Sequence, residues 1–257
     1  MEIVKVPASH GLKWLLQGFV LLRRNFFVWL AFIVMLWVLV FIVSRIKFAS
    51  PVLGLLTPVF IAGLMIGARA IEKGERLEIA HLFAGFRTHT LSLLATGAFY
   101  LVGNIAILAV MSAIGGPEIE QIAKLQAGQS IDPEVLMPIV GPAMAALLVG
   151  MVLSIPLTMA LWFAPLLVVF RNERPGAALR LSFQGCIRNM AAFLVYSLVL
   201  VVPLILLMLP FDLTSMDRNP GLWIVSLLVL PSLYTSYRDI YADAIAPSTT
   251  TVPPPAT

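Results

Sequence analysis

The chain has 257 residues, 60% of them hydrophobic and only 12% charged, against about 45–50% apolar and about 25% charged in soluble domains; that is too little polar surface for a water-soluble globule, and a bilayer is the better solvent. The net charge of +4 comes from 17 basic and 13 acidic residues, a near balance that argues against the broad cationic surface of a nucleic-acid binder, so no nucleic-acid partner is expected. With Cys186 as its one cysteine, the chain can form neither an internal disulfide nor a multi-cysteine metal site.

From the N-terminus, HGLKWLLQGFVLLRR (10–24) places Leu12, Leu15, Leu16, Phe19 and Leu22 on one helical face, with Lys13, Gln17 and Arg24 opposite. Such a helix suits the membrane interface, its basic heads among lipid phosphates and its apolar face in the acyl layer. Arg23 and Arg24 stand where a cleavage site would need small residues, so this segment is expected to be retained. About 20 apolar residues are needed to span a bilayer as a helix. Six segments have that length: 26–44, 51–68, 91–114, 139–170, 191–211 and 221–237. Pro58, Pro156, Pro165, Pro203 and Pro231 predict kinks, each removing one helical hydrogen bond.

Two more amphipathic segments lie between spans. In ERLEIAHLFAGFR (75–87), Ile79, Leu82, Phe83 and Phe86 group together, with Arg76 and Glu78 turned away. In 176–188, Leu179, Phe183, Cys186 and Ile187 form one face, and Arg180, Gln184 and Arg188 another. A surface helix thus precedes spans one, three and five. The expected fold is all-α: three units, each an interfacial helix followed by a transmembrane hairpin, in one domain over 1–242. Matching fragments support the repeat: RRNFFVWL (23–30) with IRNMAAFL (187–194), and Arg69 and Gly74 with Arg171 and Gly176 at the same spacing.

Of the basic residues, only Arg45, Lys47, Lys124 and Arg218 fall on the side opposite the N-terminus. The positive-inside rule therefore predicts that both termini are cytoplasmic. Loop 115–138 is then the sizeable external segment, with IEQIAKLQ a short helix after Pro117. The tail 243–257, rich in proline and threonine, is expected to be disordered.

MEIVKVPASHGLKWLLQGFVLLRRN (1–25), ARAIEKGE (68–75), LFAGFR (82–87), LWFAPLLV (161–168), RNMAAFLVY (188–196) and LPSLYTSYRDIY (230–241) together resemble a bacterial family of uncharacterised six-span inner-membrane proteins. The likeness runs over nearly the whole chain. A proline often follows the RRN element in that family, whereas this chain has Phe26. The resemblance implies a bacterial cytoplasmic membrane and carries no catalytic residue with it.

The histidines His10, His81 and His89 all fall in surface segments, so no intramembrane haem or metal site is expected, and no cofactor. Neither a phosphate-binding glycine loop nor a dinucleotide fingerprint occurs. Ionisable residues are absent from the span centres, where pumps and many transporters carry them. Asn104, near Thr96 and Tyr100, is the most central strongly polar side chain. It reads either as an interhelical hydrogen bond or as a substrate contact in a pore. Gly63 and Gly67, in GLMIG, form a close-packing motif, within the bundle or across a dimer. Lys13, Arg23, Arg24, Arg69, Arg171, Arg180 and Arg188 are candidate contacts for lipid headgroups, or else anchors of topology.

The function expected from these features is non-enzymatic: a structural or accessory subunit of a larger membrane complex, or a lipid-interacting protein. Its partners would be membrane lipids and another membrane protein. The rival readings are a small-solute transporter or channel with a polar path near Asn104, and an enzyme on lipid substrates using His81 or His89.

Overall fold

The computed structural model describes residues 3–46, 50–87, 89–126, 133–208 and 220–241. Most of these residues are helical, and no strand occurs among them. The helices are α1 (His10–Arg24), α2 (Phe26–Ser44), α3 (Ser50–Glu72), a 3-10 helix (Ile79–Phe86), α4 (Thr90–Gln126), α5 (Pro133–Trp162), α6 (Ala164–Arg171), α7 (Pro175–Arg188), α8 (Met190–Met208) and α9 (Pro220–Ile240).

Four stretches are long and apolar enough to cross a bilayer: Phe26–Val43, Pro51–Glu72, Thr90–Ile119 and Pro138–Arg171. A fifth candidate is the α7–α8 pair, bent by 80°. The fifth predicted span runs past residue 208, and its end lies outside the described residues, as do the loop up to 219 and the tail from 242. α3 is the central helix, with 44% of its span buried, whereas α5–α6 has 11%. The weakly buried helices expose Val38, Phe41, Val102, Leu108, Leu148 and Val152, among others. Without lipid around them, such faces would be unstable in water.

Local chemistry explains the breaks. α3 ends at Gly74, whose φ of +83° suits a residue without Cβ. There Gly74 N–H donates to the Ile71 carbonyl and Glu75 N–H to that of Ala70, which satisfies the last turn. α6 ends at Asn172 with φ 54°, a conformation asparagine tolerates. Gly176, matched to Gly74 in sequence, instead lies in the first turn of α7, so that part of the repeat has no structural counterpart. In the other match, both fragments contain a helix break. Asn25 and Asn189 each form a one-residue break, where an amphipathic helix (α1, α7) gives way to a long apolar helix (α2, α8).

The middle unit departs from the expected pattern. Residues 75–78 are irregular and 79–86 form a 3-10 helix. At three residues per turn, Leu82 and Gly85 share the buried face. Phe83 and Phe86 stand exposed beside it and pack edge-on against Phe60. The expected grouping of Ile79, Leu82, Phe83 and Phe86 assumed an α-helical period, and that period does not apply here.

α1 and α7 also turn differently from expectation. In α1 the buried residues are Gly11, Trp14, Leu15, Gly18, Leu21 and Leu22, and Leu12, Leu16 and Phe19 are exposed. The predicted apolar face thus divides into one stripe against protein and another facing outward. In α7, Ala178, Leu179, Ser182, Gly185 and Cys186 are buried and Ile187 is exposed. Tertiary packing claims half of each amphipathic face, because glycines allow close approach: a Cβ on Gly18 would lie 2.8 Å from the Ser232 backbone nitrogen of α9. Of the predicted loop 115–138, residues 115–126 and 133–138 are helical, and 127–132 lie outside the described residues. α4 continues to Gln126 across a kink at Gly115, where Pro142 of α5 approaches.

Candidate functional site

One end of the bundle collects nearly all of the described polar side-chain bonds between distant segments. An aromatic core underlies it. Trp14 meets Phe193 at 5.2 Å, Phe163 meets Tyr241 at 5.4 Å, and Tyr237 meets Tyr241 at 5.2 Å. This core sets the C-terminal turns of α9 between α1, α3 and α6.

Charge is then placed on that frame. Arg238 of α9 pairs with Glu72, the last residue of α3, and donates to Gln17 of α1 at 3.0 Å. Tyr234 donates to the other oxygen of Glu72 at 2.6 Å. On the next residue of α9, the Asp239 carboxylate meets His10 Nδ1 at 2.6 Å and accepts from Trp14 Nε1 at 2.8 Å; Lys13 Nζ lies at 3.8 Å. Burial works against ionisation of Asp239. The hydrogen bonds from Trp14 and His10 and the charges of His10 and Lys13 outweigh it and hold the carboxyl below its ordinary range. Thr235 adds a bond to the Trp14 carbonyl at 2.9 Å.

The N-terminal segment is stitched into the same end. Val4 N–H donates to the Ile240 carbonyl at 2.8 Å. At the α7–α8 elbow, the Asn189 amide accepts from Val6 N–H at 2.8 Å and donates to the Val4 and Gly185 carbonyls at 3.0 Å each. Ser182 bridges the α5–α6 break. Its hydroxyl accepts from Phe163 N–H at 2.9 Å and donates to the Met159 carbonyl at 2.7 Å. Burial pushes the Cys186 thiol up to about 12.

The seven basic candidates for lipid contact divide into two groups. Lys13 is drawn to Asp239, Arg69 lies over the Phe170 ring at 4.7 Å, and Arg171 donates to the Tyr241 carbonyl at 3.0 Å. Arg23, Arg24, Arg180 and Arg188 project from α1 and α7, exposed. Asn104 donates to the Tyr100 carbonyl of its own helix at 2.9 Å. A cavity of about 450 Å³ between α4 and α5 is walled by Phe99, Ile107, Leu153, Leu157 and similar apolar residues, and Asn104 does not line it. Gly63 and Gly67 face the 3-10 segment, where a Cβ would meet the Leu82 and His81 carbonyls or the Leu77 side chain. Among the described residues no group of three or more His, Cys, Asp or Glu converges to hold a metal. His81 Nδ1 accepts the Glu78 N–H in a capping box, and His89 sits exposed at the start of α4.

Sequence reasoning overlooked Glu72, Asp239, Tyr234 and Asn189. A usable signal existed for the two acids, since each closes a long apolar helix on the side where orientation rules count only bases.

No family model and no solved structure matches the chain. A protein of Burkholderia thailandensis described as a probable inner membrane protein is 34% identical over 205 residues, which cover 77% of this chain and 74% of that protein. With its apolar helices, the chain is a bacterial inner-membrane protein, and it belongs to the same family as that Burkholderia protein.

Proposed function

We propose that this chain is a non-enzymatic, six-span protein of the bacterial cytoplasmic membrane that holds anionic lipid at its inner face and serves a larger membrane complex as a structural or accessory subunit. The carrying observation is the outward side of α1 and α7. Arg23, Arg24, Arg180 and Arg188 are exposed there together with Leu12, Leu16, Phe19 and Ile187. A helix that exposes both aliphatic and basic side chains is suited to the lipid interface, where each arginine contributes about 1 kcal/mol toward anionic headgroups.

The polar end supports the topology. Residues 3–17, Glu72, Arg171, Asn189 and Asp239 meet at one end of the bundle. The chain therefore returns to the same side after α2–α3, after α4–α6 and after α8–α9, which corresponds to an even number of crossings in each unit. The positive-inside rule favours the cytoplasm for that side.

The test is purification of the full chain in native-lipid particles, with lipid analysis and identification of co-purifying proteins. Enrichment of phosphatidylglycerol or cardiolipin over bulk membrane, together with a reproducible membrane-protein partner, is the expected result. A chain recovered alone, with bulk lipid composition, overturns the reading. Reporter fusions after residues 126 and 241 are expected to report periplasm and cytoplasm respectively.

A further inference from the structure

Beside the α7–α8 elbow, a groove of about 490 Å³ runs between α5 and α8. One wall is a single face of α5 from Met151 to Trp162, and the other is formed by Met190, Leu194 and Ser197 of α8, with Cys186 at the elbow. Trp162 meets Phe193 of α8 at 6.2 Å, which closes the elbow end. From Met151 to Trp162 the groove is about 16 Å long at the helical rise, close to half of the bilayer's hydrocarbon thickness of about 30 Å. α7 turns away from α8 by 80°, so the groove begins where the apolar layer meets the surface helix. Arg188, exposed at the last residue of α7, is two residues along the chain from each of the groove residues Cys186 and Met190. The Trp162 indole N–H, in the same wall, has no hydrogen-bond partner among the described residues.

We infer that this groove is a binding site for one anionic phospholipid of the inner leaflet. An acyl chain lies between α5 and α8, and the phosphate rests at Arg188. Depth and charge order select this occupant: an apolar channel one leaflet deep, with a cation at its surface end. A water-soluble ligand would find few polar partners in it. The inference rests on the lipid-binding reading above and narrows it to one place and one leaflet.

The test uses the full chain in nanodiscs containing phosphatidylglycerol with a diazirine midway along one acyl chain. Crosslinks are expected to concentrate on 151–162 and 190–197, and unlabelled phosphatidylglycerol should compete at least fivefold better than phosphatidylcholine. Arg188→Gln should weaken labelling about fivefold, the factor for one lost arginine contact. Ser197→Phe, which fills the groove, should abolish it while total anionic-lipid enrichment persists. Because the competition uses the unaltered chain, a variant that fails to fold does not decide the outcome. Labels spread evenly over α2, α4 and α5, with enrichment intact, overturn the groove site alone. Loss of both labelling and enrichment overturns the lipid reading with it.

Discussion

Arg238 and Glu72 form the ion pair that ties the last helix to the central one, and both side chains are largely shielded, with 30% and 17% exposed. Arg238→Ala leaves the Glu72 carboxylate with Tyr234 as its remaining described donor. An incompletely satisfied buried group costs about 1–3 kcal/mol. Unfolding in detergent, followed by tryptophan fluorescence, should show a loss of that size. The double change Glu72→Gln with Arg238→Gln should lose less than the sum of the single changes, since the groups are coupled.

The neighbouring contact carries a pH dependence. Asp239 has a lowered pKa in the folded protein, so the unfolded chain binds more protons as pH falls. Its contribution to stability is full above the ordinary carboxylate pKa of about 3.9 and is lost as pH drops through the lower folded value. Stability measured against pH should decline below about 4 in the parent chain, and Asp239→Asn should flatten that decline. An unchanged profile would show that the contact with His10 and Trp14 contributes nothing in solution.

Asn189 is the fastening of the N-terminal segment. Asn189→Ala removes one acceptor and two donated bonds while leaving the helices on either side of the elbow. Hydrogen exchange at the Val6 amide should accelerate at least tenfold. Val4, held by the Ile240 carbonyl, should be less affected, and the amides of α4 should not change.

The glycines separate packing from propensity. Gly18→Ala forces a methyl against the Ser232 backbone and should cost about 1–3 kcal/mol, as overpacking does. In α3, Gly54 has no neighbour nearer to a built Cβ than 3.6 Å from Tyr100. Gly54→Ala should be neutral or stabilise by up to about 1 kcal/mol through helix propensity. Equal effects at the two sites would contradict the α1–α9 contact.

Cys186 is buried and donates to the Met159 carbonyl at 3.6 Å. With its thiol raised to about 12, maleimide labelling at pH 8 should run about a thousandfold slower than in the unfolded chain, where the pKa is about 8.5. Rapid labelling of the folded protein would show that α7 lifts away from α5.

The outline of the fold was legible in the order of apolar runs and in the arginines beside them. Span length is a one-dimensional quantity, set by bilayer thickness, and the positions 26–44 and 51–68 fall within α2 and α3 with little correction. The matching fragments RRNFFVWL and IRNMAAFL both contain a one-residue helix break, at Asn25 and Asn189, which the sequence reading did not foresee. The faces of the surface helices were harder. α1 is apolar on more than one side, and no rule of spacing tells which stripe meets α9 and which stays exposed. The 3-10 helix was missed because the spacing of Ile79, Leu82, Phe83 and Phe86 also fits one face of an α-helix, and nothing in the residue types marks the tighter winding.

By itself the sequence determined the solvent and the long apolar helices, because each follows from composition along the chain. Only the tertiary structure decided which charges are spent internally. Glu72, Arg238, Asp239 and His10 are scattered through the sequence, and helix ends far apart in the chain bring them within hydrogen-bond reach. The same packing ties Lys13, Arg69 and Arg171 into the protein and leaves Arg23, Arg24, Arg180 and Arg188 exposed. The physical reason is that a salt bridge depends on distance in space, whereas the hydrophobic match to a bilayer depends on length along the helix.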